Sequence, residues 1–242
     1  MAMDGDMLFS IITPTAGNRP NALRNAVASV ERAARFAGLA CNQLEILLGF
    51  DGVRGAAPDC AYPVRTFSLP GDRNRGCGVR DTLLKFSGGE KVIFLDDDNE
   101  LKPCSLSRYL RHRDAEMVIG RIDAQLALDQ PWLPAFDDGP LVRPGNLDLL
   151  CLCLSRSLVV DRCGGWRHGS APDSCLRNMA EWRRRARSVT VIEEVVGIFD
   201  AGRSLDRAAL SSRQEALLDG LVSGRAFPAR PVLRSAPGLA LA

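Results

Sequence analysis

Four short apolar segments in the first half of the chain are typical of strands, and each ends in polar or turn-forming residues. They span residues 8–13, 44–50, 62–69 and 91–95. Two segments with apolar side chains at helical spacing, 21–39 and 80–86, lie between them. This alternation predicts an α/β fold with a parallel, doubly wound sheet. Ligands of such sheets bind beyond the carboxyl ends of the strands.

The pattern changes after residue 104. Segments with helical spacing are still interspersed with extended apolar segments. The helical segments are 105–113, 155–163 and 172–184, and the extended segments are 117–128, 147–154 and 189–196. A proline-rich loop at 130–144 interrupts them. We therefore expect two halves of one domain, 1–115 and 116–224, followed by a mobile tail at 225–242 that is rich in Pro, Arg and Ala.

Composition narrows the class of protein. The 242 residues are 46% apolar and carry a net charge of +2, which excludes a largely disordered chain and gives no basic surplus for binding nucleic acid. Eight cysteines lack C-x-x-C spacing, and the first six residues lack a basic signal-peptide region. No apolar run approaches the ~20 residues of a membrane span. We expect a cytoplasmic protein without a transmembrane segment.

Three adjacent carboxylates, Asp96, Asp97 and Asp98, directly follow the apolar segment 91–95. Like charges this close repel one another unless a positive group relieves them. A divalent cation, Mg²⁺ or Mn²⁺, takes carboxylate oxygens as ligands and would relieve this repulsion. The alternative interpretation is a solvated acidic turn that caps the helix beginning near Ser105.

Further polar groups are expected at the same edge of the sheet. Asp51 ends the second apolar segment, and Thr13-Pro14-Thr15 ends the first. A Gly76-Cys77-Gly78 turn precedes the helix at 80–86, which suits a phosphate bound by backbone N–H groups and by the guanidinium of Arg80. An ordinary salt bridge is the alternative for Arg80.

These blocks together resemble the ordered signature of glycosyltransferase family 2. The blocks are 10–15 with Arg19-Pro20, 45–51, 75–81 and 89–98. The resemblance is strong over residues 8–105 and weaker to about 185. It implies a GT-A fold, with a Rossmann-like, mostly parallel sheet flanked by helices and a C-terminal acceptor-binding part. It also implies inverting transfer from a UDP-sugar.

By this resemblance, residues 1–115 form the nucleotide-sugar-binding half and 116–224 the acceptor-binding half. Thr13, Pro14 and Thr15 would hold the nucleoside. Asp51 would accept hydrogen bonds from the uracil, and Arg80 would approach the base or the phosphates.

The acidic cluster matches the DxD position of the family. Asp97 would then contact the ribose, Asp98 would bind Mn²⁺ or Mg²⁺, and Asp96 would support the cluster. A diphosphate leaving group needs its developing charge neutralised, which agrees with this assignment.

The resemblance also implies a catalytic base after a Gly-Gly-aromatic motif. Here Gly164-Gly165-Trp166 precedes Asp173, although Pro172 stands where the family has a second acidic residue. The alternative is that Asp173 stands at the start of a helix because a negative charge is favourable there, whatever the function. Gly165, Trp166 and His168 are candidates for binding the acceptor. Trp166 could equally wedge its loop into the core, and His168 could be an ordinary loop histidine.

The expected activity is metal-dependent, inverting transfer of a hexosyl or N-acetylhexosaminyl group to a hydroxyl of a polysaccharide, glycolipid or natural product. Five arginines between 177 and 187 could contact the inner face of the membrane peripherally. The alternative is that they form a solvated helix face. Two other functions stay open. One is a degenerate domain that binds a nucleotide sugar without catalysis, and the other is a phosphotransferase of the haloacid-dehalogenase type.

Overall fold

The computed structural model describes residues 7–71, 76–128, 130–167 and 173–206. They fall within one compact unit, Met1–Ala209. The predicted tail at 225–242 lies outside the described residues, as do 207–224 of the predicted second half. The division into two halves therefore stays a prediction.

A single mixed sheet forms the centre of the described chain. Its strands are β1 (Phe9–Thr15), β2 (Leu44–Asp51), β3 (Val64–Leu69), β4 (Lys91–Phe94), β5 (Glu100–Leu101), β6 (Met117–Asp123), β7 (Trp132–Leu133), β8 (Leu152–Ser155) and β9 (Val189–Ile198). The spatial order is β3-β2-β1-β4-β8-β6-β9-β5, and β7 pairs with β6. The expected α/β fold with a mostly parallel sheet is confirmed.

The first four strands form the predicted parallel sheet. β1 lies between β2 and β4, so that Ile11 pairs with Ile46 on one side and Ile93 on the other. Every residue of β1 is buried, which is why its sequence, FSIITPT, does not alternate strictly between apolar and polar positions. The carboxyl ends of β1, β2 and β4 consequently meet at one edge.

The second half departs from the parallel, doubly wound prediction. β8 runs antiparallel to both β4 and β6, whereas β9 is parallel to β6. The strand predicted at 147–154 is also wrong in part, because residues 149–151 form a 3₁₀ turn. Asp148 accepts a hydrogen bond from the Leu150 N–H at 2.8 Å, and this side-chain cap favours the turn over an extended strand.

Four α-helices flank the sheet in the described residues. They are α1 (Pro20–Phe36), α2 (Cys77–Phe86), α3 (Ser105–Arg111) and α4 (Ser174–Arg185), and a π-helical turn spans Ser157–Arg162. α1 begins with a proline, whose fixed φ suits the first helical position. α2 packs on β1 and β2, and α1 packs on α3 and β5. The first turns of α1 and α2 thus lie near the edge where the parallel strands end.

An aromatic cluster joins the two halves behind this edge. Phe94 at the end of β4 stacks on Trp182 of α4, with ring centroids 5.6 Å apart. Trp166 meets both rings edge-on at 5.4 and 5.5 Å. Such pairs contribute about 0.5–1.5 kcal/mol each beyond the area they bury. The cluster therefore fixes α4 against the end of β4.

Two adjacent glycines just before β4 provide a test of how the chain packs against β1. A Cβ on Gly89 would lie 2.5 Å from the Ser10 backbone nitrogen, whereas a Cβ on Gly88 would meet only the Glu45 carboxylate at 3.5 Å. Neither glycine has a positive φ. We expect Gly89→Ala to lower the free energy of unfolding by about 1–3 kcal/mol through overpacking of β1. Gly88→Ala should change it by less than about 0.5 kcal/mol. Urea denaturation measures both, and equal effects would contradict the register of β1 and β4.

Candidate functional site

A cavity of about 410 Å³ opens at the carboxyl ends of β1, β2 and β4. Its described lining is Pro14, Thr15, Ala16, Arg19, Asp51, Gly76, Arg80, Asp96, Asp97, Asp98 and Phe199. The structure therefore brings together most of the nucleotide-binding and metal-binding residues expected from the sequence. Thr13 is the exception, because it is buried within β1 and does not line the cavity.

Arg19 bridges two carboxylates of the acidic cluster. Its Nη2 lies 2.5 Å from Asp97 Oδ1, and its Nη1 donates to Asp98 Oδ2. Thr15 Oγ1 donates a hydrogen bond to the other oxygen of Asp97 at 2.5 Å. Burial raises the pKa of Asp97 to about 6, although Arg19 and Thr15 both act to lower it. One guanidinium thus serves two buried carboxylates.

Arg80 balances the third carboxylate. It is 4% exposed, pairs with Asp96, and its guanidinium carbon lies 5.5 Å from the centre of a Trp166 ring. Burial alone would lower the pKa of Arg80, but the charge of Asp96 raises it above its ordinary value. Arg80 is therefore a fixed positive charge in the wall of the cavity.

The first turn of α2 closes against the end of β1. Gly76 precedes the helix with φ +74°, and a Cβ there would lie 3.0 Å from Pro14 Cβ. Only glycine adopts this conformation readily, so the helix N-terminus approaches the strand end closely. The N-terminal N–H groups of a helix favour anionic ligands. Asp51, at the end of β2, lines the same cavity.

The Gly-Gly-Trp motif docks onto α2. Asp81 Oδ1 accepts a hydrogen bond from the Trp166 N–H at 3.1 Å, and a Cβ on Gly165 would lie 2.9 Å from that oxygen. Trp166 is 2% exposed and its ring belongs to the aromatic cluster. Of the two interpretations of Trp166, the described geometry matches the loop wedged into the core. His168 lies outside the described residues.

Asp173 stands directly before α4 and does not line the cavity. Its side chain makes no capping hydrogen bond and instead pairs with Arg177 Nε at 2.9 Å. The next residue, Ser174, has its hydroxyl 3.2 Å from Cys77 Sγ in the first turn of α2. Asp173 is thus near the α2 N-terminus, and Pro172 before it lies outside the described residues.

The acidic cluster fits a divalent cation held jointly with a ligand. Within the described residues, no group of three His, Cys, Asp or Glu side chains converges as a metal site. Asp97 and Asp98 nevertheless share one positively charged partner, the guanidinium of Arg19. Mg²⁺ at nucleotide sites is usually held by one or two carboxylates plus phosphate oxygens. Asp97 and Asp98 meet that requirement.

The fold has known counterparts, although no family model and no curated protein sequence matches the chain. The structure of S. aureus TarS 1–349 in complex with UDP superposes with a TM-score of 0.61 at 13% identity, over 80% of this chain and 60% of that one. The same TarS fragment in complex with UDP-GlcNAc gives a TM-score of 0.58 at 14% identity, over 80% of this chain and 58% of that one. Mannosyltransferase PcManGT from Pyrobaculum calidifontis, solved with GDP-Man and Mn²⁺, gives 0.54 at 14% identity, over 94% and 67%.

The chain shares the fold of these structures. At these identities the likeness establishes the fold alone, and the chain spans about 60% of the length of the TarS 1–349 structure.

The basic segment at the end of α4 is largely paired within the protein. Arg184 and Arg185 both contact Glu181, and Arg185 also donates to the Arg162 carbonyl at 2.7 Å. None of the helices in the described ranges has the length and apolar character needed to cross a bilayer.

Sequence reasoning did not single out three residues near the site. The sequence marks Arg19 only as part of the Arg19-Pro20 motif, and it does not mark Phe199 or Asp148 as site residues. Phe199 lines the cavity from the end of β9. Burial raises the pKa of Asp148 to about 6, and the charge of Asp96 adds to that effect. The one sequence signal for Asp148 is that it interrupts the apolar segment 147–154.

Asp148 provides a pH-dependent test of the site. Because its pKa is about 6 in the folded protein and near 4 in the unfolded chain, ionisation destabilises the fold as pH rises through this range. Asp148→Asn keeps a good cap for Leu150. At pH 8 with EDTA, the variant should unfold with about 1–3 kcal/mol more free energy than wild type, and this advantage should vanish near pH 4.

The matched control is Asp161→Asn, because the Asp161 side chain is 63% exposed. It should show no such advantage at either pH. A gain for Asp148→Asn that does not change with pH would contradict the burial of an ionisable carboxyl at this position.

Proposed function

We propose that the protein is a metal-dependent, inverting glycosyltransferase that moves a sugar from a UDP-sugar to a hydroxyl acceptor. The observation that carries the proposal is the cavity at the strand ends, where Asp97 and Asp98 share one cationic partner. Structures with this fold have been solved with UDP, UDP-GlcNAc, and GDP-Man with Mn²⁺. The resemblance to glycosyltransferase family 2 supports the same activity.

The charge of the cavity supports a role for a divalent cation. Four carboxylates and two guanidinium groups are among its described lining residues, which gives a formal charge of −2. A nucleoside diphosphate is also an anion, so it would be repelled from this cavity without added positive charge. A bound Mn²⁺ or Mg²⁺ would neutralise the diphosphate as it leaves. Asp98 and its neighbour Asp97 would hold the cation.

The donor would lie along the strand ends. Pro14 and Thr15 would contact the nucleoside, and Asp51 would accept a hydrogen bond from the uracil N–H. Asp97 would also approach the ribose. Arg80 and the N–H groups at the start of α2 would face the diphosphate.

The transfer would be a direct displacement. The acceptor hydroxyl oxygen forms a bond to the anomeric carbon while the bond from that carbon to the diphosphate oxygen breaks, and the diphosphate leaves with the electron pair. Asp173, which lies outside the cavity lining but near the α2 N-terminus, would take the proton of the attacking hydroxyl. A hexosyl or N-acetylhexosaminyl donor fits this reaction.

The first test measures donor binding by calorimetry across UDP and GDP sugars, with and without Mn²⁺. We expect UDP-sugar binding that requires Mn²⁺. Asp98→Asn should weaken it by about 100-fold or more, because even losing the partner of a metal ligand costs 10–100-fold. Asp137→Asn is the control, since Asp137 lies in an exposed loop paired with Arg143. No binding of any nucleotide sugar by the wild-type protein would sink the proposal.

The second test addresses Asp173. Asp173→Asn should lower the turnover number by about 10²–10⁴-fold, because a general base contributes that much. Turnover is measured as the UDP released when the sugar is transferred to an acceptor or to water. Mn²⁺-dependent UDP binding should be unchanged. Asp114→Asn, at an exposed site, should match wild type in both assays. Wild-type UDP binding without turnover on any donor or acceptor would instead indicate a degenerate binding domain.

A further inference from the structure

We propose that Arg19 is an internal counter-ion that a divalent cation displaces from Asp97 and Asp98, and that the released guanidinium then binds the donor diphosphate. This inference rests on the proposed function. It makes Arg19 a determinant of how strongly cation and nucleotide binding are coupled.

The contacts of Arg19 place it where the cation would bind. Its two terminal nitrogens contact one oxygen each of Asp97 and Asp98. A Mg²⁺ ion bound by these carboxylates needs oxygen atoms at about 2.0–2.1 Å. Nη2 lies 2.5 Å from Asp97 Oδ1 and Nη1 contacts Asp98 Oδ2, so a cation placed between these two oxygens would overlap the guanidinium and be repelled by its charge. Metal binding between the two carboxylates therefore requires Arg19 to leave.

The acidic cluster is otherwise ready to receive a cation. Thr15 Oγ1 donates to Asp97 Oδ2, whereas Nη2 of Arg19 contacts Oδ1. The turn after β9 also holds the cluster, since the Gly202 N–H donates to the Asp98 carbonyl at 2.8 Å. Neither contact depends on Arg19. The Asp97 carboxylate and the Asp98 backbone thus keep these contacts when the guanidinium moves.

The position of Arg19 in the chain allows this movement. Arg19 lies directly before Pro20, the first residue of α1, and its side chain is 20% exposed and lines the cavity. A guanidinium matches the oxygens of a phosphate in a planar, two-point contact. Arg19 can therefore turn from the carboxylates to a phosphate in the same cavity. Its charge stays in the site and continues to offset the diphosphate.

This exchange makes the two ligands cooperative. Mn²⁺ alone must compete with Arg19, and the diphosphate alone meets a cavity with a formal charge of −2 and an arginine that is already paired. When both bind, the cation takes the carboxylates and Arg19 gains a new anionic partner. Each ligand should therefore strengthen the binding of the other by the same factor.

The experiment titrates Mn²⁺ into the full chain without nucleotide, using the paramagnetic signal of free Mn²⁺. Arg19→Gln should bind Mn²⁺ roughly tenfold more tightly than wild type, within the range usual for coupled sites. Calorimetry with UDP then measures the factor by which Mn²⁺ strengthens UDP binding. That factor should be smaller in Arg19→Gln than in wild type, because the variant lacks the guanidinium that passes to the diphosphate.

Two further variants make the result specific. Arg19→Lys keeps the charge but loses the planar fork, so its Mn²⁺ affinity should lie between those of wild type and Arg19→Gln. Arg32→Gln is the control, because Arg32 lies on α1, the helix that begins directly after Arg19, but pairs with Glu100 outside the cavity. It should match wild type in both titrations, and circular dichroism verifies that every variant is folded.

Unchanged or weaker Mn²⁺ binding by folded Arg19→Gln would overturn the inference. The proposed function would still stand in that case, provided that wild-type protein binds UDP in a Mn²⁺-dependent manner. Absence of Mn²⁺-dependent UDP binding by wild type would overturn both.

Discussion

The arrangement of the site depends on balancing the charge of several carboxylates at the edge where parallel strands end. Adjacent buried carboxylates destabilise a fold unless cations are close. The register of β1 and β4 solves this problem, because Ile12 pairs with Phe94 and the residues that follow each strand become neighbours. Arg19 consequently reaches Asp97 and Asp98, while Arg80 reaches Asp96 from α2.

The second half of the chain supports this balance from behind. Arg80 lies between the Asp96 carboxylate and the face of a Trp166 ring. Trp166 is in turn fixed by Asp81 and by its contacts with Phe94 and Trp182. A change in this aromatic cluster would therefore reach the cavity through Arg80, although none of the three rings lines the cavity. The helix that follows Asp173 is part of the same unit.

The sequence was sufficient to predict the parallel half of the sheet and its acidic edge. Apolar segments that end in Asp51 or Asp96 mark strands whose direction and edge follow from general rules. The direction of β8 could not be predicted, because a short buried strand has the same apolar pattern in either direction. The role of Arg19 was also hidden, since its partners are 78 and 79 positions away in the sequence and depend on the pairing of β1 with β4.

The antiparallel strand explains why the site has contributors that the sequence did not reveal. β8 runs opposite to β4, so the residues just before β8, including Asp148, lie at the edge where β4 ends. β6 and β9 run in the direction of β4, and Phe199 after β9 therefore reaches the same edge. The Phe199 N–H donates to the Asp123 carbonyl at the end of β6, which holds this turn in place. One reversed strand thus lets the second half place a carboxyl near the edge of the cavity and an aromatic ring in its lining, whereas the acidic cluster comes from the first half.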